Sequence, residues 1–120
     1  MTTRLISNQV NSEEQLRLAK KIKQSIVPIH SMPDSLTIKE TFSFIVNAYG
    51  CGYEASFLRR LDVDIEAKFS AAGTTRDEAV ENLKDIIAQT FRVLCDHEAT
   101  GLSRALQMQL KVLRYYLKQS

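Results

Sequence analysis

A chain of 120 residues, 44% apolar and 25% charged, has the length of one domain and the composition of a soluble globular protein with its own core. No apolar run nears the roughly 18 residues of a membrane span and no signal-peptide block follows Arg4, so a cytoplasmic protein is expected. Cys51 and Cys95 lie far apart and outside any paired spacing, which argues against a disulfide framework.

The net charge of +2 conceals a polarity along the chain. Residues 4–23 hold five basic side chains against two acidic, residues 76–98 three against six, and residues 104–118 four against none. Basic ends therefore flank an acidic middle, a pattern that solvated faces account for better than a nucleic-acid footprint, which needs a denser, one-sided basic cluster.

In chain order, residues 1–10 show no period. Ser12 and Gln15 stand at capping-box spacing, and Leu16, Ala19, Ile22 and Ile26 share a face at helical spacing, so a helix over 12–26 is expected. Pro28 and Pro33 disfavour helix before them and mark 27–35 as a connector. Leu36, Ile38, Phe42, Phe44, Val46 and Ala48 then occupy even positions with polar residues between them, the period of a strand over 36–48. Glu40 on the apolar side and Ile45 on the polar side are the exceptions, and Ile45 points to a second face partly covered near its centre.

Gly50 and Gly52 supply a reversal, and a second strand follows over 53–58. Leu61, Val63, Ile65, Ala67 and Phe69 alternate with Asp62, Asp64, Glu66 and Lys68, a third strand over 61–69 with one wet face. Between them, Arg59 and Arg60 mark either a tight turn or bulge joining separate antiparallel strands, the preferred reading, or a bend in one long strand. Gly73 is expected to turn the chain through a positive φ. Thr75 and Glu78 form a capping box, and Val80, Leu83, Ile87, Phe91 and Leu94, broadened by Ala79, Ile86 and Thr90, give a helix over 75–95. Past a linker punctuated by Gly101, Leu102, Leu106, Leu110, Leu113 and Leu117 give a last helix over 102–118, with Arg104, Lys111, Arg114 and Lys118 on its other face.

The expected architecture is α+β: an N-terminal helix, a three-stranded antiparallel sheet and two helices packed on one face. It divides into an arm and connector (1–35), a β-β-β-α core unit (36–97) and a C-terminal helix (98–120).

Chemistry is sparse. Cys95 and His97 form one close-spaced ligand pair where a structural zinc site needs two, and Cys51 and His30 stand alone. Asp62, Asp64 and Glu66 lie on one strand, whereas metal-dependent nuclease carboxylates converge from several elements. No phosphate-cradling Gly loop and no nucleophile elbow is present. The phenylalanines fall on the apolar strand faces rather than among basic residues as stacking platforms. No enzyme activity, cofactor or metal is expected.

The stretch 53–94 resembles the HicB-like family of small antitoxin-type domains. The likeness lies in the Tyr-Glu-Ala-Ser-Phe strand from Tyr53, the following alternating strand, the Gly-Thr-Thr-Arg-Asp-Glu-Ala turn from Gly73 to Ala79, and Glu-Asn-Leu-Lys from Glu81 to Lys84. The resemblance implies a compact non-catalytic unit that assembles with itself and often blocks a small partner ribonuclease. The family's proline-containing segment at the end of its second strand is replaced here by Phe69, Ser70, Ala71 and Ala72. No second helix follows 102–118 to complete a DNA-binding helix-turn-helix. The expected function is a non-catalytic partner-binding module, antitoxin-like or regulatory, and a homodimer, since three apolar helix stripes compete for one sheet. The alternative is nucleic-acid binding through the basic end segments. Candidate contacts for either are Arg59, Arg60, Arg104, Lys111, Arg114 and Lys118.

Overall fold

The computed structural model describes residues 21–119, the side chain of Lys21 excepted. Its elements, in order, are β1 (Lys21–Ile29), β2 (Leu36–Ile38), β3 (Phe42–Tyr49), β4 (Gly52–Asp62), β5 (Ile65–Gly73), α1 (Arg76–His97), a single 3-10 turn (Glu98–Thr100), α2 (Arg104–Tyr116) and β6 (Leu117–Gln119). β1, β3, β4 and β5 form an antiparallel sheet in that spatial order, and β2 pairs with β6 in a separate two-stranded ribbon. The α+β class holds, with one more strand in the main sheet than the sequence period indicates.

The additional strand is β1. The expected helix over 12–26 falls partly outside the described residues, and its described part, 21–26, is extended. Ile22 and Ile26 satisfy both a helical spacing of four and a strand period of two. The β-branched Ile22, Ile26, Val27 and Ile29 favour the strand, and the register with β3, from Lys21 opposite Tyr49 to Ile29 opposite Phe42, supplies its backbone partners. Pro28 is tolerated because β1 is an edge strand, so the connector begins at His30 rather than Val27.

The expected strand over 36–48 is two strands belonging to different sheets. The break spans residues 39–41, where Lys39 and Glu40 direct their backbone N–H groups to the carbonyl of Tyr116, at 2.7 and 3.4 Å. Glu40, out of period on the apolar side, marks the interruption. The chain passes through Arg59 and Arg60 in one strand, and the reversal comes at Val63 and Asp64, after a bulge between Arg60 and Asp62. Asp62 fixes this turn by accepting from the Val63 N–H at 2.7 Å. The alternation over 61–69 therefore spans a hairpin turn, and Val63 is exposed.

Gly73 ends β5 without a positive φ. Its requirement is steric instead: a Cβ there would collide with the Ala79 backbone nitrogen, where the first turn of α1 crosses the strand. Thr75 caps α1, accepting from the Glu78 N–H at 3.0 Å. Glu78 reaches back to the N–H and hydroxyl of Thr74, one residue earlier than a standard capping box. α2 stops at Tyr116, short of the expected 118, because Leu117 turns extended to pair with Ile38.

α1 packs chiefly on β5 and β4, and α2 on β5, so one face of the sheet is covered. The core between the layers holds Phe42, Phe44, Val46, Ala55, Phe57, Ala67 and Ala71 from the strands and Val80, Leu83, Ile87, Phe91, Leu94, Leu110 and Leu113 from the helices. Within it, Phe57 meets Phe42, Phe44 and Tyr116 edge-on, at 5.4 to 6.2 Å between centroids. Ile86 is exposed rather than part of the buried stripe, which Ala88 completes.

Candidate functional site

The six candidate basic residues do not converge on one site: Arg59 and Arg60 lie on β4, while Arg114 shares one recess with Lys111 and another with Lys118. Arg59 and Arg60 are neighbours on β4 and so project to opposite faces. Arg59 lies on the covered side, with its guanidinium 5.4 Å from the Phe57 ring centre and 6.0 Å from that of Tyr116. It donates to the carbonyls of Ser43 and Leu58 at 3.2 and 3.0 Å. Those two hydrogen bonds and the ring contacts tie β4 to β3 and α2. Arg60, on the open side, pairs with Glu66 at 3.2 Å.

Arg104 is the first residue of α2 and exposed, two turns before Lys111 on the same helix. Arg114, nearer the end of α2, donates to both carboxylate oxygens of Glu98, at 2.8 and 2.7 Å. The Glu98 partnership raises the Arg114 pKa above its ordinary value, and the same hydrogen bonds lower that of Glu98. Lys111 and Arg114 line a recess of about 270 Å³ together with Glu98, Gly101, Leu102 and Leu110. Lys118 is carried by β6, not by the helix, and is exposed.

Among the described residues, no constellation of catalytic type accompanies them. Cys51 is exposed in the β3–β4 hairpin, and Cys95 is half-buried near the end of α1. His97 places Nδ1 3.0 Å from the Val93 carbonyl of its own helix. Among the described residues no group of three or more His, Cys, Asp or Glu side chains could hold a metal ion. No described helix is long and apolar enough to cross a membrane.

The sequence reading takes Ile45 as a sign that the second face of the sheet is partly covered near its centre, but no described element covers that face and Ile45 is exposed. On it, Ile26 of β1 is 71% exposed, Ile45 of β3 39% and Leu58 of β4 49%, and Ile22, in the bulge between Lys21 and Lys23, is 70% exposed. Ile26 stands directly opposite Ile45, and Ile45 opposite Ser56, two residues from Leu58. The aliphatic stripe thus runs across three neighbouring strands. Around it lie the Gln24–Asn47 hydrogen bond at 3.0 Å, the Arg60–Glu66 pair and Lys68. Ile45, out of period in the sequence, was the available signal. Ile22 and Ile26 were masked by their compatibility with a helix.

The fold and its surface define a two-layer α+β protein whose sheet carries helices on one face and an aliphatic stripe on the other. No family model matches the chain, and comparison with curated proteins and with solved structures likewise gives no match.

Proposed function

We propose that this protein is a non-catalytic interaction module that pairs with a second copy of itself through the open face of its sheet. The observation that carries the reading is the Ile26–Ile45 cross-strand pair, with Leu58 beside it on β4, exposed where the edge strand β1 meets β3. Isolated exposed aliphatics are ordinary on protein surfaces, but a contiguous stripe rimmed by polar groups marks a contact site. Four strands at about 4.8 Å and some eight residues at about 3.4 Å give a face of roughly 500 Å². Two such faces stacked as a sandwich bury about 1,000 Å², the lower end for specific association. A reversible dimer is therefore the expected form.

Sedimentation equilibrium of the wild-type chain and of Ile26→Glu tests this. The expected result is concentration-dependent dimerisation in the wild type, lost in the variant while the far-UV circular dichroism stays unchanged. A wild type that remains monomeric at several hundred micromolar overturns it. The resemblance of residues 53–94 to HicB-like domains supports extending the reading to an antitoxin-like role, in which the dimer binds a small ribonuclease. Co-purification of such a ribonuclease from the native host, and inhibition of its activity by the chain, is the corresponding test.

A further inference from the structure

α1 packs chiefly over β4 and β5, and beside its first residue a recess of about 180 Å³ opens toward the edge strand β1. The strand register builds one side of it: Lys23 stands opposite Ala48, Ala48 opposite Tyr53, and Ser25 opposite Val46. Arg76, at the start of α1, supplies the other. Every polar side chain of the described lining can donate: the Lys23 ammonium, the Arg76 guanidinium and the hydroxyls of Ser25 and Tyr53. None of the four has a side-chain hydrogen bond or ion pair with a described residue. We propose that this recess binds the phosphate group of a small molecule, held between Lys23 and Arg76 with Ser25 and Tyr53 donating to its oxygens.

The position of Arg76 runs against its local environment. It stands at the positive end of the α1 dipole, where an acidic side chain stabilises the helix and a cation does not. Asp77 and Glu78 follow that rule in the same turn, but neither lines the recess, and Glu78 is held by Thr74. No acidic side chain among the described residues lines it. Local conflicts of this kind fall at functional or strained sites, and the exposed Arg76 is under no packing constraint. A phosphate group matches what the recess offers. It carries nearly two negative charges at neutral pH and three strong acceptor oxygens, against two cations and two hydroxyls; a carboxylate brings one charge and two oxygens. Arginine meets phosphate through two parallel N–H bonds and lysine as a point charge. Val46 and Ala48 complete the lining and add no side-chain acceptor that would compete with the ligand.

The test follows amide chemical shifts of the full chain during separate titrations with inorganic phosphate, methyl phosphate and acetate at constant ionic strength. Saturable shifts at Lys23, Ser25, Tyr53 and Arg76 are expected with the two phosphates, and weaker binding with acetate. Tighter binding of methyl phosphate identifies a phosphorylated small molecule as the source of the group; tighter binding of inorganic phosphate identifies the free ion. Lys23→Gln and Arg76→Gln, both at exposed positions, should each weaken phosphate binding by about fivefold or more, the loss of one charge-assisted contact. Removing a cation from the first turn of α1 does not weaken the helix, so a loss in Arg76→Gln reports on the recess and not on the fold. Acetate binding as tightly as the phosphates overturns the proposal, because the second charge and the further oxygen would then have no part. The absence of saturable shifts at these four residues with either phosphate, or unchanged affinity in either variant, overturns it as well.

Discussion

Arg114 grips both carboxylate oxygens of Glu98 and so joins the last turns of α2 to the residue immediately after α1. A bidentate guanidinium–carboxylate pair fixes orientation as well as distance, and here it sets the corner at which the two helices separate. Lys39 adds a third element by donating to the Arg114 carbonyl, so the β2–β3 break is held against the same corner.

The pH dependence of stability follows from this pair and from Glu78. Hydrogen bonds from Arg114 lower the folded pKa of Glu98, and hydrogen bonds from the Thr74 backbone and hydroxyl lower that of Glu78, each from an ordinary 4.5. A carboxylate with a depressed folded pKa binds its proton more readily when unfolded, so its contribution is complete above about pH 4.5 and is lost as pH falls through the lower folded values. Thermal melts at pH 6 and pH 3 should show a drop that is smaller in Glu98→Gln than in the wild type. An equal drop in both would remove Glu98 from the acid response.

Gly73→Ala should destabilise the fold by about 1–3 kcal/mol in urea unfolding, the range for overpacking. The added methyl meets backbone atoms of Glu78 and Ala79 rather than a movable side chain, so relief requires α1 to shift away from β5. A destabilisation below about 0.5 kcal/mol would show that the crossing can open freely.

Thr75→Ala should cost about 1 kcal/mol through loss of the N-cap. Ser103→Ala should cost less, because the Ser103 hydroxyl accepts from the Leu106 N–H at the longer distance of 3.3 Å. Chevron or equilibrium denaturation of the two variants side by side measures the order directly.

Thr75 was legible in the sequence because a cap is a local device, set by residues three apart. The same holds for the stripe Val80, Leu83, Ile87, Phe91 and Leu94, whose period needs no knowledge of what it packs on. The failures are nonlocal. The extended state of residues 21–26 depends on β3, some twenty residues away, and the spacing of Ile22 and Ile26 cannot distinguish the two conformations. The end of α2 depends on β2, since Leu117 continues the helical stripe in sequence yet pairs with Ile38. The hairpin at Val63 and Asp64 was hidden because the alternation continues through it, while the adjacent arginines drew the boundary too early. Charge alone singles out the candidate contacts, and charge does not reveal that Glu98 holds Arg114 or that Arg59 packs among aromatic rings.

Arg59 separates a structural role from a ligand-contact role most sharply. Its guanidinium stacks by Phe57 and Tyr116 and donates to the Ser43 carbonyl, a set of contacts that a lysine ammonium cannot reproduce with one planar fork. Arg59→Lys keeps the charge, so an electrostatic contact to an anionic partner would lose little. The packing contacts would be lost, at about 1 kcal/mol for the cation–π and carbonyl interactions together. Lower stability in urea with an unchanged elution from heparin is the expected result for Arg59→Lys. Unchanged stability with earlier elution would instead make Arg59 a ligand contact. Arg60→Lys is the control on the opposite face: its exposed pair with Glu66 should leave stability within about 0.5 kcal/mol of the wild type.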